Sequence, residues 1–313
     1  MPFLNLLIYI VAFILIWIGS GWIVTPMARF SKRLRLSSFA VSFIVLGLLT
    51  SLPELSVGLQ SVSNHEPEIF VGNLLGGIPA IFLFIIPILA IFGNGINVRH
   101  DIDKKTLLVS LGVIIAPSLL VLNQKVSRPE GIILILLYFM LLLLIQKRQG
   151  IFDRSKTQLL TAKAYSSIDV LKIVAGIIIV FLTSSIIVNE TIYFATIFQV
   201  SPFYISLIAI SLGTNLPELS LAVRSVVTGN KDIALGDYLG SAAANTLLFG
   251  AFTLLSGGEV VTVNNFFVTF IFIAFGLTLF YCFARFGNNI TRREGICLLI
   301  LYFVFVTYEL LRR

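Results

Sequence analysis

The sequence predicts an all-α, polytopic membrane protein with about ten transmembrane helices arranged as two inverted five-helix repeats. Three observations lead to this fold class: an apolar composition, a series of long apolar segments and an internal repeat. Of the 313 residues, 58% are hydrophobic and only 12% are charged, and the mean hydropathy is +1.01. Soluble domains carry about 25% charged residues, so this chain is too apolar to be one.

The long apolar segments give the number of helices. About 20 apolar residues are needed to cross the hydrocarbon layer as a helix. We place the predicted spans at 3–24, 37–62, 68–92, 105–122, 129–146, 170–188, 203–227, 233–255, 265–284 and 294–310. The first segment lacks the positive charge that begins a signal peptide and exceeds the usual apolar length of one, so we interpret it as a retained helix.

The basic residues predict the orientation of the helices. The net charge is +7, and 18 of the 22 lysine and arginine residues fall in the odd-numbered connections between predicted spans. The positive-inside rule therefore places these connections in the cytoplasm and both termini outside. We expect an integral protein of a prokaryotic cell membrane, surrounded by the lipid bilayer. Because topology explains the basic excess, no nucleic-acid partner is expected.

An internal repeat divides the chain into two halves. Residues 50–81 (TSLPELSVGLQSVSNHEPEIFVGNLLGGIPAI) and 214–245 (TNLPELSLAVRSVVTGNKDIALGDYLGSAAAN) agree at 13 of 32 positions, without a gap, at an offset of 164 residues. Such self-similarity indicates a duplicated unit, here about five helices long. Because five is odd, the second copy enters the membrane from the opposite side, which makes the repeat inverted. We predict a first repeat at 1–146, a cytoplasmic linker at 147–169 and a second repeat at 170–313.

Each repeat carries a glutamate directly after a proline, in the middle of an apolar segment: Glu54 after Pro53 and Glu218 after Pro217. A proline inside a helix removes one hydrogen bond and crowds the carbonyl four residues earlier, so both segments should bend or unwind there. A carboxylate at membrane depth is costly and indicates a functional site. The bends can equally be structural, because hydroxyl side chains such as Thr50 often bond to the backbone of apolar helices.

A second polar stripe follows in the next predicted helix of each repeat. In the second repeat, the stripe consists of Asp237, Ser241 and Asn245. A spacing of four residues places these side chains on one helical face. The counterparts in the first repeat are Asn73, Gly77 and Ile81. The first repeat has therefore lost two side-chain oxygen donors, while glycines beside both stripes allow another helix to approach closely.

At these motifs the chain resembles the cation/calcium antiporter family, and the sodium/calcium exchangers in particular. The resemblance rests on the paired "TSLPE" and "GTNLPE" segments and on the glycine-flanked stripe that follows each of them. It implies a ten-helix fold, no cofactor, and a cluster of cation sites made by both repeats at the membrane centre. The ligands implied by motif position are Thr50, Ser51, Glu54, Thr214, Asn215, Glu218, Ser241 and Asn245. Further candidates on the same faces are Asn73, Gly77 and Asp237.

The chain also departs from the family pattern at several of these positions. Leu49 replaces a glycine of the first repeat, and Asn215 replaces a serine of the second. Gly77 stands where a serine is usual, Ile81 where an asparagine or aspartate is usual, and Asn245 where a carboxylate is common. These departures concern the oxygen ligands, so they bear on which ions are carried and in what ratio.

The residues predict a transporter of hard cations and not an enzyme. The sequence contains no phosphate-binding loop, metalloprotease motif or Ser/His/Asp constellation. Ca²⁺ takes six to eight oxygen ligands, and sodium takes a smaller set of the same kind. Exchange of Ca²⁺ for Na⁺ by alternating access is the leading hypothesis. An H⁺-coupled cation antiporter and a transport-inactive membrane interaction protein are the alternatives.

A charge count gives an expected exchange ratio. We expect Asp237 to lie near the cytoplasmic end of its helix, which leaves Glu54 and Glu218 with a central charge of about −2. One divalent ion neutralises this charge, and so do two monovalent ions. Exchange is therefore expected at close to two monovalent ions for each divalent ion.

Overall fold

The computed structural model describes residues 2–31, 42–97, 102–149, 167–228, 231–262, 266–286 and 289–311. Its α-helices are α1 (Pro2–Ser31), α2 (Gly47–Thr50), α3 (Leu52–Ser63), α4 (Pro67–Pro79), α5 (Ile86–Phe92), α6 (Lys104–Leu120), α7 (Arg128–Gln149), α8 (Ser167–Phe198), α9 (Pro202–Ile205), α10 (Ser211–Thr214), α11 (Leu216–Thr228), α12 (Lys231–Leu255), α13 (Phe267–Phe286) and α14 (Arg292–Leu311). Three π-helical turns occur, at Ser42–Leu46, Ala80–Ile85 and Ser206–Ile210, and one 3₁₀ turn at Val121–Asn123. The strands are β1 (Ile96–Asn97), β2 (Lys125–Ser127), β3 (Glu259–Val261) and β4 (Asn289–Ile290).

The helices have the length and composition of membrane spans. Among the described residues, eight helices are long and apolar enough to cross a membrane, and the pair Phe43–Thr50 and Leu52–Ser63, bent by 46°, makes a ninth. The shorter apolar helix Pro202–Thr214 is followed by α11 at the position where the seventh span is predicted. Large apolar side chains such as Leu143 and Leu182 are about two-thirds exposed, at 66% and 65%, which suits lipid and not water. The predicted fold class is confirmed.

The sixth span is longer than predicted. It was expected to end at 188, before the polar pair Asn189 and Glu190, but α8 continues to Phe198. Glutamate is a good helix former, so the pair does not interrupt the helix. The polar turn is also held internally, because Thr191 donates to the carbonyl of Ile187 over 2.8 Å and pairs with the Tyr9 hydroxyl, also over 2.8 Å.

The two halves repeat the same local structure at the offset of 164 residues. The π-helical turn, the short helix and the longer helix of Ser42–Ser63 recur in the same order from Ser206 to Thr228. The last helix of each half begins with an equivalent capping contact: Ser127 donates from its amide and its hydroxyl to Glu130 before α7, and Thr291 donates from the same two groups to Glu294 before α14. In the second half the Glu294 amide also donates to Thr291 Oγ1, which completes a capping box. The repeat therefore extends from the central motifs to the last helix of each half.

Two small antiparallel sheets show that the repeats are inverted. β1 pairs with β4, and β2 pairs with β3, so each sheet takes one strand from each half. β1 and β2 lie at opposite ends of α6, so the two sheets lie at opposite ends of the bundle. β1 and β3 follow equivalent helices in the two halves, and they too are at opposite ends. Equivalent segments thus face opposite sides, as an odd number of helices per repeat requires.

The predicted linker lies mostly outside the described residues. Of residues 147–169, the stretch 150–166 is not described, and the ends are helical, since α7 ends at Gln149 and α8 begins at Ser167. The division into 1–146, 147–169 and 170–313 stays a prediction.

One element breaks the symmetry between the halves. The third span is divided into α4, the π-helical turn Ala80–Ile85 and α5, whereas its counterpart α12 is continuous. Pro79 and Pro87 flank the π-helical turn, and each lacks the amide that a regular helix would use. The third span therefore has an irregular backbone immediately after its polar stripe.

Candidate functional site

The site is built around two breaks at equivalent positions. α2 ends at Thr50 and α3 begins at Leu52, with Ser51 between them; α10 and α11 are divided in the same way by Asn215. The backbone angles at Ser51 are −79° and 6°, and those at Asn215 are −87° and 12°, outside the helical minimum. The predicted interruption before each proline is confirmed.

The side chains at the two breaks bond to the backbone one turn earlier. Ser51 donates from Oγ to the carbonyl of Gly47 over 2.7 Å, and Asn215 donates from Nδ2 to the carbonyl of Ser211, also over 2.7 Å. These bonds stabilise the interrupted backbone inside the protein. Ser51 and Asn215 therefore have a structural role, since each bonds the backbone of its own broken helix.

Glycines bring the polar stripes against the broken helices. A methyl group at Gly240 of α12 would lie 2.0 Å from the carbonyl oxygen of Phe43. A methyl group at the equivalent Gly76 of α4 would lie 2.0 Å from the carbonyl oxygen of Leu207. No side chain fits at such distances, so only glycine allows these two crossings. The expected role of glycines in close helix packing is confirmed at Gly76 and Gly240.

Three carboxylates lie in this region, and all are inaccessible to solvent. Glu54 is 1% exposed, and Glu218 and Asp237 are 0% exposed. Glu54 accepts from Asn215 Nδ2 on Oε1 over 3.2 Å, and Glu218 accepts from the Ser241 hydroxyl on Oε1 over 2.7 Å. Within the described part of the chain, the second oxygen of each of the three carboxylates has no hydrogen-bond partner. Each has an oxygen available for a cation.

A symmetric pair of hydrogen bonds joins the two repeats. Thr50 Oγ1 donates to Asp237 Oδ1 over 3.1 Å, and Thr214 Oγ1 donates to Asn73 Oδ1 over 3.0 Å. We expected Asp237 to lie near the end of its helix, apart from the central charges. Asp237 does lie in the second turn of α12, but the expected separation from the central residues is wrong, because Asp237 is fully buried and bonds Thr50 at the opposite break. The position of Asp237 along its helix did not reveal this contact, because the contact depends on how closely α12 crosses α2.

The two repeats differ where the first has lost its side-chain oxygens. The space beside Gly77 is filled by side chains of the second repeat: a methyl group at Gly77 would lie 2.8 Å from Asn245 Nδ2 and 3.5 Å from Asn215 Nδ2. The mirror position holds Ser241, whose hydroxyl pairs with Ser51 over 3.2 Å. Ile81 is buried in the apolar core. The amides of Asn215 and Asn245 therefore occupy the space that a hydroxyl side chain at position 77 would fill.

The structure brings the predicted site residues together at the crossings of the two repeats. Those held by side-chain hydrogen bonds between repeats or within the site are Thr50, Ser51, Glu54, Asn73, Thr214, Asn215, Glu218, Asp237 and Ser241. Asn245 contributes an amide with no hydrogen bond to any described residue. Tyr238 was not predicted; its hydroxyl donates to the carbonyl of Glu218 over 3.4 Å, and only its place beside Asp237 could have indicated it.

The ligand types are those of a mixed-oxygen site. No three acidic, histidine or cysteine side chains of the described residues form a group that would hold a metal ion. A cation bound by Glu54 or Glu218 would therefore complete its coordination with hydroxyl, amide and backbone oxygens. Such ligands suit hard cations.

Inverted repeats that meet at broken helices inside the membrane define the class of secondary transporters. The sequence model of the sodium/calcium exchanger protein family matches residues 4–146 and 169–311. The chain belongs to this family. It is an integral membrane cation antiporter and not an enzyme, and it works on transported cations within the lipid bilayer.

Two relatives are similar to the chain in sequence, and a solved structure shares its fold. The chain is 26% identical over 260 residues to the inner membrane protein YrbG of Escherichia coli, which covers 80% of each chain. It is 24% identical over 342 residues to the sodium/calcium exchanger MaX1 of Methanosarcina acetivorans, covering 96% of this chain and 97% of the relative. A structure of the sodium-calcium exchanger NCX_Mj with 2.5 mM Na⁺ and 10 mM Sr²⁺ matches with a TM-score of 0.71 at 23% identity, covering 98% of this chain and 99% of that one.

Proposed function

We propose that this antiporter exchanges Ca²⁺ for Na⁺ and that the ions bind between Glu54 and Glu218. The observation that carries the proposal is the pair of buried glutamates on equivalent helix breaks, each with one oxygen that no described residue bonds. Two buried carboxylates need cations or protons to coexist at short range. A cation that bridges the two repeats satisfies both.

The proposed ligand set follows from which oxygens remain available. Glu54 Oε2, Glu218 Oε2, Asn215 Oδ1 and Asn245 Oδ1 are buried and bond no group of the described chain. The hydroxyl groups of Thr50, Ser51, Thr214 and Ser241 bond other residues of the same cluster and add further oxygen atoms. This supply of oxygens approaches the six to eight that Ca²⁺ takes, and Na⁺ needs fewer. MaX1 and NCX_Mj, which are similar to this chain, are sodium/calcium exchangers by name.

Alternating access follows from the inverted repeat. Equivalent segments of the two halves occupy opposite ends of the bundle, and the sheets β1–β4 and β2–β3 join the halves at both ends. Exchange of conformations between the two copies opens the central site first to one side and then to the other. The broken helices α2–α3 and α10–α11 are the segments that would change at each step.

H⁺ coupling is the second candidate. It is favoured by one observation: Asn215 turns a nitrogen and not an oxygen toward Glu54. The carboxylate of Glu54 and the carbonyl of Ser211 are both acceptors, so the amide must donate to both of them. Together with Gly77 and Ile81, this reduces the oxygen ligands near Glu54, and a proton needs fewer ligands than Na⁺.

The orientation is also proposed. Basic residues in the odd-numbered connections support cytoplasmic placement of those connections and extracytoplasmic placement of both termini, as in a prokaryotic cell membrane. On this basis β1 and β4 lie at the cytoplasmic end, and β2 and β3 lie at the outer end. The segment 147–169 is then the cytoplasmic linker.

Ion flux in proteoliposomes tests the function. Purified protein is reconstituted, and Ca²⁺ uptake is measured first with an outward Na⁺ gradient and then with a pH gradient at equal Na⁺. Uptake driven by the Na⁺ gradient alone supports Na⁺/Ca²⁺ exchange. Uptake driven only by the pH gradient selects the H⁺-coupled version, and no Ca²⁺ uptake under either gradient contradicts both.

A further inference from the structure

An apolar cavity lies at the end of the bundle where α1 begins and α8 ends. It has a volume of about 420 Å³, within the range of pockets that bind small ligands. Its walls include side chains of α1, of α8 and of the first half of the seventh span: Leu6, Tyr9, Phe194, Tyr204, Ile208 and Ala209. Ala209 lies about 9 Å before Asn215 along the helix axis, at a rise of 1.5 Å per residue. Of the described residues that line the cavity, none belongs to the candidate cation site.

The lining is almost entirely apolar. No charged side chain occurs among the described residues that form it, and the hydroxyl of Tyr9 already pairs with that of Thr191 over 2.8 Å. A polar ligand would lose its hydrogen bonds to water and find few partners to replace them, and cavities with apolar walls stay dry. The cavity therefore suits an apolar ligand.

The lining passes from lipid-facing side chains to buried ones. Phe3 and Phe198 are 80% and 54% exposed, whereas Tyr9 and Phe194 on the inner wall are 6% and 7% exposed. The exposed members belong to apolar helices with the length of membrane spans, so they contact lipid. The cavity is therefore continuous with the lipid-facing surface and is entered from the bilayer.

Filling the cavity would strengthen the packing of the seventh span. Ile205 and Ala209 pack with Tyr9 and Phe194 in a small apolar cluster that is distinct from the main core. Apolar walls that face a gap forfeit dispersion contacts on that side. An apolar ligand supplies these contacts to all the walls at once, so it would hold the first half of the seventh span against α1 and α8.

We propose that the cavity binds one acyl chain of a membrane phospholipid. Such a chain is apolar, narrow and flexible, and the bilayer presents it at the opening of the cavity at high concentration. The cavity lies beside the first turns of α1 and the last turns of α8, so the headgroup can stay at the membrane surface while the chain enters. The bound chain packs α9 and the π-helical turn Ser206–Ile210 against α1 and α8.

Quenching of tryptophan fluorescence by a brominated phospholipid tests the proposal. Trp17 and Trp22 are first replaced by phenylalanine, and a single tryptophan is introduced in the buried wall as Phe194→Trp. Leu7→Trp is the matched control, because Leu7 is 49% exposed on α1 but does not line the cavity. A phosphatidylcholine brominated on its acyl chains is then titrated into each protein in detergent micelles.

The proposal predicts saturable quenching of the buried tryptophan. Quenching of Phe194→Trp should level off once a single phospholipid is bound, whereas quenching of Leu7→Trp should rise in proportion to the lipid fraction of the micelle. A proportional rise in both proteins overturns the proposal. Absent quenching of Phe194→Trp also overturns it, and is the result expected if a detergent tail or a side chain of a second copy fills the cavity.

A cavity-filling variant tests where the lipid binds. Ala209→Leu, added to the Phe194→Trp protein, places a larger side chain in the cavity and should abolish the saturable quenching. Val11→Leu enlarges a lipid-facing side chain of α1 outside the lining and should leave the quenching unchanged. Saturable quenching that survives Ala209→Leu in a folded protein contradicts the proposed site. If Ala209→Leu does not fold, Ile208→Phe is measured in the same way.

Thermal unfolding provides a second measurement of lipid binding. A ligand that binds only the folded protein raises its stability with concentration. Added phospholipid should therefore raise the unfolding temperature of the wild type more than that of Ala209→Leu, and equal stabilisation of the two proteins contradicts the site. No ion flux is measured in either experiment, so the outcome does not depend on whether the protein exchanges Ca²⁺ for Na⁺.

Discussion

Asn215 donates from its amide nitrogen to Glu54 Oε1 over 3.2 Å and so joins the helix break of the second repeat to the carboxylate of the first. Among the described residues, Ser51 at the equivalent break makes no such bond to Glu218, which accepts instead from the Ser241 hydroxyl. A hydroxyl can turn its lone pairs toward a cation, whereas an amide nitrogen cannot. The two glutamates are therefore unequal partners for a cation.

Replacing Asn215 by serine should strengthen Ca²⁺ binding. The substitution removes the amide donor that competes with the cation for Glu54, and the serine hydroxyl takes the place of Asn215 Oδ1 as an oxygen ligand. A hydrogen bond to a charged group is worth about 1.5 kcal/mol or more, so the half-saturating Ca²⁺ concentration should fall by about tenfold. Asn64→Ser, at an exposed position, is the matched control and should leave Ca²⁺ binding unchanged. Weaker or equal Ca²⁺ binding by Asn215→Ser contradicts this account of the Asn215 amide.

Gly77 and Asn245 should be energetically coupled. A side chain at Gly77 would come within 2.8 Å of Asn245 Nδ2, so Gly77→Ser forces Asn245 to move, and Asn245→Ala removes the conflict. Neighbouring residues of this kind show coupling of about 0.5–3 kcal/mol in a double-mutant cycle. Thermal unfolding of both single variants and the double variant measures it. Purely additive losses would show that the amide of Asn245 does not fill the space beside Gly77.

Much of this architecture could be predicted from residue patterns. Identical residues at the offset of 164 predicted the inverted repeat, and the prolines at 53 and 217 predicted the two broken helices. The place of Asp237 could not be predicted, because it depends on how closely α12 crosses α2 at Gly240, which is a matter of packing and not of periodicity. The contact between Gly77 and Asn245 could not be predicted either, because the two residues belong to different repeats and lie far apart in the sequence. The end of α8 was missed because the prediction followed the apolar segment, which stops at 188, whereas the helix continues to Phe198.

Gly240→Ala should destabilise the protein through one backbone contact. The added methyl group would lie 2.0 Å from the carbonyl oxygen of Phe43, so the π-helical turn Ser42–Leu46 and α12 must separate. Overpacking of this kind costs about 1–3 kcal/mol. Gly112→Ala is the matched control, because Gly112 lies inside α6 with no atom within 4 Å of the added group, and alanine there should stabilise the helix by about 1 kcal/mol. Equal unfolding temperatures for the two variants contradict the close crossing.

Cysteine labelling tests the orientation of the two sheets. Cys282 and Cys297 are first replaced by serine, and single cysteines are then introduced at the exposed positions Glu259 in β3 and Asn289 in β4. An impermeant thiol reagent should label position 259 only from outside and position 289 only from the cytoplasmic side. Cysteines at 156 and 264, which lie outside the described residues, should follow the same pattern, with 156 cytoplasmic and 264 external. Labelling of 259 and 289 from one side contradicts the inverted arrangement.

The most direct test of the central claim is Na⁺-driven Ca²⁺ flux through Glu54→Gln and Glu218→Gln in proteoliposomes. Each substitution removes one charge that the bound cation balances, while a neutral amide is easier to bury, so the protein should remain folded. Glu259→Gln, whose side chain is 52% exposed, controls for the chemical change. We predict that flux is lost in both buried variants and kept in the control. Near-normal flux in both Glu54→Gln and Glu218→Gln would contradict the claim that the ions bind between these two residues.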